Sequence, residues 1–338
     1  MKIERQREPK RWIAYRTRML DNLMKLAILS SYVRGPGARP VSVLLIGDPS
    51  VGKSTAIRRV RNVKGVFSVD SFTQKSLEGI LVSEGFESGE HSVIAISDLN
   101  DILSKPSSVS SPALGVLKSL ADEGILHRTA GQYTPHGTDS KAAGSGVRFA
   151  QPVMAGFIAA ITKSDLQFNY QQLHSGGLLD RPLTIELDAT KRERMLMATI
   201  TVSEHDPRQP VPWKLSRVQP TKVTISKTMV REVHKWTEND LRDSCLFRWC
   251  DPGSTRLHVN LCNLVRANAL ISKRNHVIPD DIEAVKKLEP LFMRGYMPVP
   301  EEEETASTKP KTVGRLGGRP KGSRDTRKRV RRFHKKPE

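Results

Sequence analysis

Gly47, Gly52, Lys53 and Ser54 stand in the stretch "LLIGDPSVGKSTAIRRV" (44–60) at the spacing G-x-x-x-x-G-K-S. That spacing suits phosphate. Glycines let a loop wrap until its backbone N–H groups converge, Lys53 adds a cation near the β- and γ-phosphates, and the Ser54 hydroxyl can reach Mg²⁺. The nucleotide-binding residues expected are therefore Gly47, Asp48, Pro49, Ser50, Val51, Gly52, Lys53, Ser54 and Thr55, with ATP and Mg²⁺ as cofactors. A second stretch, "HSVIAISDLNDIL" (91–103), carries Asp98 with Ser97 before it and Leu99 after it. Phosphoryl transfer needs a held magnesium ion and an oriented water. A hydrolysing site usually draws on a pair of acids, and this stretch offers one at its expected place.

The elements that must position these residues follow from the pattern. "VSVLLIGD" (41–48) is an apolar, β-branched run, a buried parallel strand by type. A helix is expected from about residue 52, whose N-terminus favours anions. "HSVIAIS", "GFIAAIT" (156–162) and "RPLTIEL" (181–187) are three further buried strands. "MLDNLMKLAILSSYV" (19–33) has apolar residues at helical spacing, and "RGPGARP" breaks it. "SSPALGVLKSLADEGI" (110–125) reads as an amphipathic helix with a Ser cap. Residues 126–149 read as a hairpin with a Gly/Ser/Lys tip. Strands alternating with helices predict an α/β fold with a parallel sheet. The chain divides into a basic segment (1–18), the α/β core (19–204), a Pro-rich connector (205–226), a helical domain (227–295) and a basic tail (296–338) expected to be disordered without a partner.

The charge narrows the partner. The net charge is +19 over 338 residues, and residues 309–338 hold thirteen Lys/Arg against two acids, or +11 of that total. Such a balance points to a polyanion, most simply nucleic acid. Cys245, Cys250 and Cys262 fit neither a zinc ribbon nor a disulfide scaffold, in keeping with a reducing compartment. No apolar run reaches the length of a bilayer span, and the N-terminus lacks the apolar region of a secretory signal. A cytoplasmic, nucleoid-associated setting is expected.

Beyond the loop, "GDPSVGKS" resembles the G-D-P-G-x-A-K-S of minichromosome maintenance (MCM) helicases. "AISDLNDI" (95–102) stands where that family has I-D-E-F-D-K-M. "PALGVLKSLADEGILHRTAG" resembles its helix and pre-sensor hairpin, "GFIAAIT" its sensor-1 strand, and "GGLLDRPLTIELD" its L-L-S-R-F-D-L-x-F segment. "STRLHVNLCNLVRANALISKRNHVIPDDIEAV" (254–285) is similar to its helical lid. The resemblance covers roughly residues 19 to 292 in the family's order. It implies an AAA+ P-loop NTPase core with a small helical lid, assembled as a homo-oligomeric ring, hexameric by resemblance, on DNA. The residues ahead of the loop leave no room for the family's N-terminal DNA-binding domain, so a pared-down relative is expected.

Position by position, the resemblance implies that Arg181 is an arginine finger reaching a neighbour's γ-phosphate; the plain alternative is an Arg flanking a strand end. Thr162 takes the place of the sensor-1 Asn, and Arg256 that of the sensor-2 Arg. Two registers are open for the acid. In one, Asp98 is on the magnesium side and Leu99 replaces the catalytic Glu. In the other, Ser97 replaces the first Asp and Asp98 replaces the Glu; it matches Ile96, Leu99 and Ile102 to apolar positions and is preferred. Asp98 and Ser54 are the metal-side residues. Lys141, at the hairpin tip, with Arg128 and Arg148 flanking, would grip DNA in a central channel; a surface loop with an incidental Lys is the alternative. In the tail, Arg319, Pro320, Lys321 and Gly322 resemble an AT-hook, which lies in the minor groove; a polybasic tail bound to phosphates is the alternative. The expected function is an ATP-binding, ATP-hydrolysing DNA-associated ATPase, a candidate helicase or translocase, in replication or mobile-element maintenance. The rivals are a nucleotide switch or loader without hydrolysis, and an AAA+ transcription regulator.

Overall fold

The computed structural model describes residues 9–128, 147–203, 213, 218–249 and 255–293. Helix α1 (Pro9–Ser30) leads into the short strand β1 (Val33–Arg34), then β2 (Val43–Gly47) and α2 (Lys53–Val60). Next come β3 (Val66–Val69), α3 (Gln74–Ser83), β4 (Val93–Ile96), α4 (Asn100–Leu103) and α5 (Ser107–Asp122). Strands β5 (Ile125–Arg128), β6 (Val147–Val153) and β7 (Gly156–Ile161) precede α6 (Lys163–Phe168) and α7 (Tyr170–Ser175). Then follow β8 (Leu183–Leu187), α8 (Lys191–Ser203), β9 (Thr221–Lys222) and five helices, α9 (Lys227–Asn239), α10 (Cys245–Arg248), α11 (Arg256–Ile271), α12 (Pro279–Lys286) and α13 (Glu289–Phe292).

Five strands make one parallel sheet in the order β3-β4-β7-β2-β8. Every residue of β2, β4, β7 and β8 is buried, because helices cover both faces of a parallel sheet. The pleat sends Val43, Leu45, Ile158, Ala160, Leu183 and Ile185 to one core, shared with α1, α2 and α11. It sends Leu44, Ile46, Ile94, Ile96, Phe157 and Ala159 to the other, under α3 and α5. The α/β class and its four expected strands are present.

Three local expectations shift. Strand β3 has no counterpart among the expected strands; its residues Phe67, Ser68 and Val69 are only half-buried, as an edge strand allows. Helix α1 runs back to Pro9, so the expected boundary at residue 18 falls inside one continuous helix. Helix α5 begins at Ser107, ahead of the expected Ser110, with Pro112 accommodated inside it. A Pro there forgoes one backbone hydrogen bond, and the buried row Ala113, Leu114, Val116, Leu117 and Leu120 compensates by packing.

The expected hairpin has its two arms. β5 and β6 pair antiparallel, with His127 opposite Arg148 and Arg128 opposite Val147. Its tip, with Lys141, lies outside the described residues. Strand β9 pairs parallel with β1, Val33 opposite Thr221, and so returns the end of the connector to the C-terminus of α1. The helices after it share the core of α1: Trp236, Leu261, Val265, Ile282 and Phe292 belong to the same cluster as Leu23, Met24 and Ile28. Residues Met1–Met297 form one compact unit. Residues 298–338, with Arg319 and Lys321, are outside the described residues.

Candidate nucleotide site

The glycine-rich loop joins β2 to α2. Gly47 is closely confined, since a Cβ there would lie 2.4 Å from the Leu187 carbonyl oxygen and 2.9 Å from Val51 Cγ2. Gly52, the N-cap of α2, has φ 94, a left-handed conformation suited to glycine. Ser50 also takes a positive φ of 64. A left-handed conformation at a non-glycine residue costs about 1 kcal/mol. Asp48 is half-buried, Pro49 and Ser50 are exposed, and Val51 is buried. Ser54 and Thr55, half-buried, lie in the first turn of α2.

Lys53 is 8% exposed. Its Nζ donates to the Gly47 carbonyl at 2.6 Å and to the Asp48 carbonyl at 2.9 Å. Burial lowers its pKa, opposed by the negative charges of Asp98, Asp48 and Asp165. A buried ammonium at a helix N-terminus is a strong local point charge for an anionic ligand.

Sheet register decides what faces the loop. Ile46 is level with Ile161, so Gly47 and Thr162 leave the sheet side by side. Ile96 is level with Ala159, and the Leu99 amide donates to the Ala160 carbonyl at 2.7 Å. The end of β7 therefore lies between the glycine-rich loop and Asp98. Ile96, Leu99 and Ile102 all turn into the core, each 0% exposed, while Ser97 and Asp98 remain half-buried at the strand end. Asp98 Oδ1 accepts from the Asn100 amide at 3.0 Å. Burial raises the Asp98 pKa; the Asn100 amide and Lys53 oppose this, and Asp101 and Asp165 add to it.

Thr162 caps α6. Its Oγ1 accepts from the Asp165 amide at 3.1 Å and donates to Asp165 Oδ2. Asp165 is not among the residues expected at the site, although "TKSD" has the spacing by which an N-cap hydroxyl meets the third helical residue. Arg16 is another addition, because nothing in the sequence separates it from the other charges of the basic segment. It is 5% exposed, and its guanidinium donates to the Asp188 carbonyl at 2.6 Å and the Val51 carbonyl at 3.3 Å. It thereby braces the loop from α1. Arg194 on α8 approaches Asp48 at 3.9 Å.

Arg181 and Arg256 meet each other at the opposite end of the sheet. Arg181 precedes β8, whose start pairs with Val43 at the beginning of β2. Both guanidiniums contact Asp122 Oδ2, at 3.1 Å from Arg181 and 2.9 Å from Arg256, while Arg39 holds Oδ1 at 2.6 Å. Arg181 is 8% exposed and also donates to the Gly177 carbonyl. Burial, then the neighbouring Arg256, lowers its pKa, against Asp122 and Asp180. Arg128 and Arg148 lie in the β5–β6 pair by backbone position. A cleft of about 740 Å³ opens at this same end, among Ser31, Arg34, Lys64, His91, Pro152 and Gln219; Lys53 is not part of it.

The surroundings of the loop fit a magnesium–nucleotide complex. Mg²⁺ is held by one or two carboxylates together with phosphate oxygens and water, not by an all-protein cage. Among the described residues no group of three or more His, Cys, Asp and Glu could hold a metal ion. Asp98 and Asp165 each secure one oxygen within their own helix start, and neither second oxygen has a hydrogen-bond partner among the described residues. Fold and loop together define an α/β protein with a parallel sheet flanked by helices, compatible with a P-loop-like fold. No family model and no curated protein sequence matches the chain. Among the described residues no helix is long and apolar enough to cross a membrane.

Proposed function

We propose that this chain is an ATP-binding, ATP-hydrolysing, DNA-associated AAA+ protein, similar to the motor core of MCM helicases and acting as a ring in replication or mobile-element maintenance. The observation that carries the reading is the glycine-rich loop on a buried strand, with Lys53 in the field of Asp98 at the N-terminus of α2. The loop amides and Lys53 would hold the phosphates, and Ser54 and Asp98 the magnesium side. Bound magnesium would neutralise charge developing on the phosphates. Leu99 is core, so Asp98 is the acid of this stretch left at the strand end for work at the phosphates. Arg181 would be the arginine finger toward a neighbouring subunit's γ-phosphate and Arg256 the sensor-2 Arg; both are held on Asp122 at the far end of the sheet from the loop, and Arg181 is buried, which fits the alternative of an Arg flanking a strand end. Helices α9–α13 would form the lid, and the net charge of +19 supports a nucleic-acid partner.

The test is ATP binding and DNA-stimulated hydrolysis by the full chain, with Lys53→Ala alongside. Binding and turnover that Lys53→Ala abolishes are expected; absence of nucleotide binding by the wild-type chain would overturn the reading. A second reading, a nucleotide switch or loader without turnover, draws on Ser97 standing where the family has an acid. Tight ATP binding with no hydrolysis, DNA present or absent, would select it.

A further inference from the structure

The MCM pattern expects two adjacent acids at the end of its second core strand, and this chain has Ser97 and Asp98 there. The fold brings another carboxylate to the same place from a different strand. Asp165 begins α6 directly after β7, and β7 is the strand between the glycine-rich loop and Asp98. Thr162 holds Asp165 twice, through its amide and through Oδ2. Oδ1 is without a hydrogen-bond partner among the described residues. Asp98 is built in the same way, one oxygen tied to the Asn100 amide and the other not. Two carboxylates so arranged, on adjacent strands and both within electrostatic reach of Lys53, can accept hydrogen bonds from the waters of one hydrated cation.

We propose that Asp165 is the second carboxylate on the metal side of this site: with Asp98 it holds the hydration shell of a divalent cation bound to the nucleotide's phosphates, and Thr162 positions it. The proposal rests on the nucleotide reading above. It gives Thr162, which stands in the place of the sensor-1 Asn, a role through Asp165. Capping geometry alone would explain the Thr162–Asp165 contact without any cation, so the test must separate the two.

The affinity of a fluorescent ATP analogue for the full chain should be measured with Mg²⁺ and with EDTA, for wild type, Asp165→Asn, Asp98→Asn and Thr162→Val. The ratio of the two affinities reports the metal's contribution, and unfolding midpoints report folding. Asp165→Asn, which keeps the volume and an oxygen for Thr162, is expected to cut the Mg²⁺-dependent ratio about tenfold while leaving the EDTA affinity in place. Thr162→Val should show a smaller loss in the same ratio, and Thr162→Ser, which restores the hydroxyl, should recover most of it. A ratio that falls for Asp98→Asn but not for Asp165→Asn overturns the proposal, leaving Asp165 a helix cap and the nucleotide reading intact. No binding by wild type under either condition removes both.

Discussion

Glu186 shows what burial does to a single charged residue in this fold. It points from β8 into the core beside Trp249, with its side chain 0% exposed. Trp249 Nε1 donates to its Oε1 at 3.2 Å, Arg248 lies at 3.4 Å, and Oε2 is unpartnered among the described residues. Burial lifts its pKa from 4.5 to about 7, against the pull of Arg248, Trp249 and Lys163, with Asp188 adding slightly to the rise. Between those values the folded chain keeps a proton that the unfolded chain has released. Stability from this group is therefore full below about pH 4.5 and is lost as pH rises through about 7. The full effect is on the order of 3 kcal/mol. Glu186→Gln should remove that slope and leave the variant the more stable of the two at about pH 8, which urea unfolding at about pH 5 and about pH 8 would measure. His258, whose pKa burial and His234 lower, gives the opposite slope, and it is present in both chains, so their comparison isolates Glu186.

At the scale of elements, α1 couples the N-terminal segment to the loop. Its apolar face, Leu23, Met24, Ala27 and Ile28, packs into the sheet core, and Arg16, two turns earlier, reaches the Val51 and Asp188 carbonyls. Arg16→Met preserves much of the stem and removes the donors, leaving those carbonyls without them. It should cost about 2 kcal/mol in chemical unfolding. It should also weaken nucleotide binding more than a substitution of the exposed Lys10 does, because Arg16 touches the loop itself. Equal effects from the two would mean that α1 stabilises the fold without shaping the loop. Arg16 belongs to the basic segment by sequence, yet it is buried, so one of that segment's charges is core.

For the whole molecule, residues 309–338 fall outside the compact unit Met1–Met297. Deleting them removes +11 of the +19 net charge. DNA binding should weaken, and the slope of log affinity against log salt should flatten by about 0.9 for each phosphate that the tail no longer neutralises. The thermal midpoint should stay where it is, since the deletion spares the compact unit. An unchanged salt slope in a filter or fluorescence titration would refute the tail's part in binding. The match of Arg319 and Lys321 to an AT-hook sets a finer test: a preference for A·T-rich duplex that disappears with the tail.

The local chemistry of this chain is legible in its residues. The glycine spacing of the loop, the four buried apolar strands, the arms of the hairpin and the basic excess all follow from short-range pattern, because side-chain periodicity and backbone freedom are local properties. Strand β3 escapes such a reading because an edge strand is only partly covered and its pattern is faint. Asp165 and Arg16 escape for a different reason. Asp165 gains meaning only when β7 inserts between β2 and β4, and Arg16 only when a helix that precedes the sheet lies against its loop. Likewise, Arg181 and Arg256, distant in the chain, share Asp122 through packing that no local pattern records. Strand order and helix docking are set by long-range burial, and it is they that turn separate residues into a site.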